Sequence, residues 1–77
     1  MTRLPVVNYR KMNAVLLKLG FSVARQKGSH VFYRHPDGRT TTVPNHLGRD
    51  LPRPLVRKIL QDIGLTPDEF SDELDKL

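Results

Sequence analysis

A chain of 77 residues and 8.8 kDa has room for one modest core, because a domain this small buries only roughly 60% of the surface its unfolded form exposes; that leaves little space for a cofactor cavity and favours a surface acting on a large substrate. There is no cysteine, so disulfides, thiolate metal sites and a cysteine nucleophile are excluded, and no apolar run approaches the roughly 20 residues of a membrane span. The formal net charge of +5 is divided unevenly, with −4 from Pro67 onward (five acids against Lys76) and +9 before it, and a basic body of that kind attracts polyanions, nucleic acid first and anionic membrane second.

The plain alternative is a solvated basic surface that serves solubility. The opening "MTRLPVVNYRK" lacks the long apolar segment of a signal peptide, so a cytoplasmic protein with no membrane partner is expected.

In "NYRKMNAVLLKLG" the apolar residues Tyr9, Met12, Val15, Leu16 and Leu19 recur at spacings of three and four, which predicts an amphipathic helix over residues 8–19. Asn8 suits its N-cap and Gly20 its C-terminal stop, with Lys11 and Lys18 on the polar side. A period of two follows. Strands are predicted over 21–26 and 30–35 around a three-residue loop, Lys27-Gly28-Ser29, with Gln26 opposite His30, Arg25 opposite Val31 and Val23 opposite Tyr33. That register gives Phe21, Val23, Val31 and Tyr33 one face, and Ser22, Ala24, Gln26, His30, Phe32 and Arg34 the other.

"HPDGR" is a turn, with Pro36 and Asp37 setting a type I bend and Gly38 accepting positive φ. The β-branched run Thr40 to Val43 predicts a third strand over 39–43, ended by Pro44. After the irregular basic connection "NHLGRDLPRP", Leu55, Val56, Ile59, Leu60 and Ile63 mark a second amphipathic helix, with Pro54 in its first turn and Gly64 as its stop. "TPDEF" opens a short third helix through a capping box of Thr66 and Glu69, with Pro67 at its first position and Phe70 and Leu74 able to dock it.

This order predicts an α+β fold in a single domain, residues 1–77. Its core is the α-β-β-β-α arrangement of double-stranded-RNA-binding domains, a three-stranded antiparallel sheet with helices on one face, and a short acidic helix is appended. Topology alone does not assign a function.

The segments "LGFSVARQKGSHVFYRHPDGRTTTVPNH" and "LVRKILQDIGLTPDEF" resemble the HicA family of type II toxins, with "LGF", "RQKGSH", "DGR", "VPNH" and "RKIL" followed by "GL" in family order over about 4–70. The resemblance implies a small basic endoribonuclease that degrades messenger RNA, the double-stranded-RNA-binding-domain-like fold, and a HicB-like antitoxin that covers the active surface. It also implies that His30, in the Gly-Ser-His motif, is the catalytic histidine. "LPRPL" before the second helix departs from the family, where many relatives have a glycine and a hydroxyl residue, and puts the contacts at that helix start in question.

The residues suit such chemistry. Histidine titrates near neutral pH and so serves as acid or base; Gly28 permits close backbone approach, Ser29 and nearby N–H groups can position a phosphate, and Arg25, Lys27 and Arg34 can offset its charge. Lys11, Arg53, Arg57 and Lys58, with Lys18, suit phosphate contacts along an RNA minor groove. Each has a plainer reading, as hairpin turn, strand-edge charge or helix-surface charge. Phe32, outward in this register, suits a base or a pocket in a protein partner; the alternative is that the register itself is different.

His35 falls beside the Pro36 turn, where a structural role is expected. His46, in "VPNH", either approaches His30 as a second acid/base or belongs to a turn. Histidine spacings of five and eleven fit no usual zinc motif, so neither metal nor cofactor is expected. The alternatives to a ribonuclease are a non-catalytic module that holds structured RNA and, more weakly, a small DNA-binding protein, for which no helix-turn-helix pair is evident.

Overall fold

The computed structural model describes residues 4–46 and 48–77, so that Leu47, in the connection before the second helix, lies outside the described residues. Its elements run α1 (Tyr9–Lys18), β1 (Ser22–Lys27), β2 (His30–Arg34), β3 (Thr40–Pro44), α2 (Arg53–Ile63) and α3 (Pro67–Asp75). The strands form one antiparallel sheet in the order β1-β2-β3, giving the expected α+β architecture.

Local chemistry sets the helix ends. Asn8 caps α1 by accepting from the Lys11 N–H at 3.0 Å. The helix stops at Gly20, whose φ of +99° lets the Phe21 N–H turn back to the Leu16 carbonyl at 3.0 Å. In α3 the capping box forms in both directions: the Glu69 N–H donates to Thr66 Oγ1 at 3.2 Å and the Thr66 N–H to Glu69 Oε1 at 2.9 Å. The Thr66 backbone N–H first, and then the Thr66 side chain, hold the Glu69 carboxyl below its usual range.

One face of the sheet makes the core. Val31, Tyr33 and Val43 are buried with Met12, Val15 and Leu16 of α1, Val56, Ile59, Leu60 and Ile63 of α2, and Phe70 of α3. Each such side chain contributes about 1.5–3 kcal/mol relative to exposure. Polar bonds fix how the layers sit. Buried Thr41 donates from Oγ1 to Asp62 Oδ2 at 3.1 Å, tying β3 to α2. The Tyr33 hydroxyl donates to Asn13 Oδ1 at 2.6 Å and lies 2.7 Å from the Tyr9 hydroxyl, tying β2 to α1. Burial first, then the Tyr9 hydroxyl, raises the Tyr33 pKa well above the ordinary phenol range. Arg39 joins the turn to α2, with its guanidinium donating to Asp37 Oδ2 at 2.8 Å and to the Ile63 carbonyl, 5.2 Å from the Phe21 ring centroid.

The hairpin register differs from the sequence expectation. At its open end Val23 pairs with Tyr33 as predicted, but at the turn Arg25 pairs with Phe32, Gln26 with Val31 and Lys27 with His30. The loop is therefore two residues, Gly28-Ser29. Gly28 takes φ of +58° while no non-glycine residue among those described is positive, the pattern of a type II′ turn, whose twist suits a hairpin better than a longer loop. The displaced residue is absorbed as a bulge at Ala24, between Val23 and Arg25. Beyond the bulge the faces exchange: Gln26 moves to the core side, Arg25 moves to the side of His30, and Lys27, expected in the loop, joins the strand on that same side.

Val23 also departs from expectation. It is 47% exposed although it shares the face of Tyr33, because β1 is an edge strand and the helices pack against β3 at the other edge. All of β1 is exposed.

Candidate functional site

The outer face of the sheet, away from the helices, is built from three ladder rungs. The first holds Lys27, His30 and Pro44; the second, Arg25, Phe32 and Thr42; the third, Ser22, Arg34 and Thr40. Successive rungs lie two residues apart, roughly 6.6–6.8 Å along a strand. His30, Lys27, Arg25 and Arg34 are exposed and Phe32 is half-buried, with the Arg25 guanidinium 4.5 Å from the Phe32 ring centroid. The three rungs carry cations and no carboxylate.

His30 opens β2 directly after the turn, and both carbonyls of that turn are held. Gln26 Nε2 donates to the Gly28 carbonyl at 3.1 Å, and the Asn45 N–H donates to the Ser29 carbonyl at 2.6 Å. Space next to Gly28 is open, since a Cβ there would meet nothing within 4 Å. The His30 imidazole makes no hydrogen bond or ion pair among the described residues, which leaves both ring nitrogens available. A rigid turn thus presents an uncommitted imidazole beside a lysine.

The predicted contact residues divide into two groups. Arg25, Lys27, Gly28, Ser29, His30 and Arg34 come together on the outer face or at its turn. Lys11, Arg53, Arg57 and Lys58 belong to the helices that cover the other face. There Arg53 Nε donates to the Leu4 carbonyl at 3.4 Å and Lys58 bridges to Asp62 at 3.4 Å. Lys18, expected on the polar side of α1 as a phosphate contact, is 3.2 Å from Glu73 and pins α1 to α3. That pairing spans the two halves of the chain and left no local signal.

The three histidines separate by environment. His35 is structural: its Nε2 lies 3.2 Å from the Leu19 carbonyl, which can only accept, so Nε2 carries a proton. Its Nδ1 sits 3.1 Å from the Asp37 N–H and 3.0 Å from Asp37 Oδ1, and its ring meets Phe21 edge-on at 5.0 Å. His46 is exposed and lines a shallow pocket with Asn8, Tyr9, Arg10, Asn45 and Gly48, a pocket that His30 does not line. Sequence reasoning passed over Arg10 and Asn45. The signal for Asn45 was its place directly after Pro44, where the chain leaves the strand that pairs with His30.

A family model described as "HicA toxin of bacterial toxin-antitoxin" matches residues 9–65. The chain belongs to the HicA family. No curated protein matches it. The HicA match runs from the first residue of α1 to just past α2 and so contains the whole sheet, the Gly28-Ser29 turn and His30; α3, whose Phe70 is fully buried, lies beyond it. Membership in a toxin family of toxin–antitoxin systems implies an antitoxin partner. Among the described residues no helix is long and apolar enough to cross a membrane.

Proposed function

We propose that this HicA toxin is a metal-independent endoribonuclease that cuts messenger RNA in the cytoplasm, the whole chain acting as one domain, with His30 as its acid/base and a HicB-like antitoxin as its inhibitor. The observation that carries the reading is the exposed imidazole of His30, without a hydrogen-bond or ion-pair partner among the described residues, on one ladder rung with Lys27 and beside an open glycine turn.

Cleavage without a metal proceeds by attack of a ribose 2′-oxygen on the neighbouring phosphorus. The P–O5′ bond breaks, a 2′,3′-cyclic phosphate forms, and the 2′-OH proton is lost while O5′ gains one. The neutral His30 imidazole takes the 2′-OH proton and, as the imidazolium so formed, gives it to O5′ as the P–O5′ bond breaks, a contribution of typically 10²- to 10⁴-fold. Lys27 on the same rung and Arg25 on the next face the phosphorane, whose extra negative charge cationic donors stabilise more than they stabilise the diester. The Gly28 and Ser29 backbone has room to approach a phosphate oxygen. A HicB-like antitoxin silences the enzyme by covering this carboxylate-free face.

The test is incubation of the purified protein with a long RNA in EDTA beside His30→Ala. The reading expects cleavage by the parent and none by the variant. Equal cleavage by both removes His30 from the mechanism, and RNA retained without cleavage by either favours the binding module.

A further inference from the structure

On the ribonuclease reading the cut is made at the outer sheet face, and the second rung of that face carries a group that phosphate chemistry does not require. Phe32 stands half-exposed among polar neighbours, one rung from His30, with the Arg25 guanidinium over its ring at 4.5 Å. Without the bulge at Ala24, Arg25 would lie opposite Val31 on the core side. The bulge re-aims it across Phe32, a use to which bulges beside functional sites are often put.

Aromatic rings and guanidinium planes are the two side-chain surfaces on which unpaired bases stack. The bases of a duplex have their faces covered by their neighbours, so a ring on a strand meets a base face only in single-stranded RNA. Charge supports the same occupant. The face carries Lys27, Arg25 and Arg34 in successive rungs and no carboxylate, while the acids of α3 sit on the helical side of the molecule.

We propose that Phe32 and Arg25 form a base-stacking subsite for an unpaired nucleotide beside the scissile phosphate, and that single-stranded RNA runs along the outer sheet face from His30 toward Arg34. This rests on the ribonuclease reading for the position of the scissile bond, but base stacking itself can be measured without cleavage. The subsite holds the strand; His30 does the chemistry.

The experiment uses the full chain carrying His30→Ala, so that RNA stays intact, and short fluorescent oligoribonucleotides followed by anisotropy. Single-stranded RNA is expected to bind more tightly than a duplex of equal length. Adding Phe32→Ala, or Phe32→Leu, which keeps an apolar side chain but removes the π face, is expected to weaken single-strand binding roughly tenfold, with a cooperative thermal melt retained well above the temperature of the binding measurement. In a set of short oligonucleotides with one abasic position moved along the strand, at least one is expected to bind the Phe32 protein more weakly than the intact strand, and to bind the Phe32→Ala protein no worse than the intact strand. Preference for duplex, equal binding by the Phe32 variants, or an abasic penalty that persists without Phe32 overturns the proposal. So does a Phe32→Ala defect confined to capture of the antitoxin, which would make the ring a protein anchor. If the parent binds single strands through Phe32 yet never cuts RNA, the ribonuclease reading fails and the stacking subsite stands.

Discussion

Strand β2 places neighbouring residues in opposite worlds. Val31 and Tyr33 are each 1% exposed against the helices, whereas His30 and Arg34 are exposed to solvent and Phe32 is half-covered by Arg25. The difference between the two faces separates stability from function with a period of two: the inner residues hold the fold, and the outer ones touch almost nothing that the fold needs. Substitutions on adjacent positions should therefore have unlike consequences.

The adjacent aromatics give the largest contrast. Tyr33→Ala empties a fully buried site and leaves Asn13 and Tyr9 without their shared partner, and is expected to cost about 3–5 kcal/mol. Phe32→Ala, one residue away, is expected to cost under ~1 kcal/mol. Chemical denaturation of the two variants checks this, and similar losses would mean that the outer face is also part of the core.

A smaller effect is expected where the inner layer closes behind α1. Gly20 has φ of +99°, and a Cβ there would meet His35 Nε2 at 3.0 Å. Gly20→Ala is expected to destabilise by about 1–3 kcal/mol, whereas Gly28→Ala meets no neighbouring atom and incurs only the left-handed backbone cost of roughly 1–2 kcal/mol. Thermal melts of the pair would rank them, and an equal or larger loss at Gly28 would show that the turn is as tightly surrounded as the helix end.

Acid sharpens the comparison further, because the depressed carboxyls lie outside the outer face. The Arg39 backbone N–H, then the Arg39 guanidinium and His35, hold the Asp37 carboxyl below its usual range against a smaller opposing effect of desolvation, and Thr66 does the same for Glu69. Both are lowered relative to the unfolded chain, so their stabilisation is complete above the unfolded values of about 4 and is lost as pH falls through the folded ones. Melting temperature should fall on acidification below about pH 4, and Asp37→Asn should flatten part of that fall. An unchanged profile in the variant would remove Asp37 from it.

Much of this arrangement can be read from the chain because it is local. Asn8, Gly20, Gly64 and the Thr66-Pro67-Glu69 cap act within a turn of their own helices, and the period of two already turns His30 outward. The face of Arg25 and Lys27 cannot be read that way. It depends on whether the hairpin closes with two residues or three, a competition between turn twist and ladder continuity that a bulge at Ala24 resolves. Val23 reads as core because alternation says nothing about which strand the helices cover. Lys18 with Glu73 and Arg39 with the end of α2 join positions far apart in the chain, so no spacing announces them.

The most direct measurement combines both faces in one variant. His30→Ala should melt within about 0.5 kcal/mol of the parent, as a surface substitution does, and should lose cleavage of a long RNA in EDTA while still binding it. A variant that is stable and still cuts at the parental rate would contradict the assignment of the chemistry to His30.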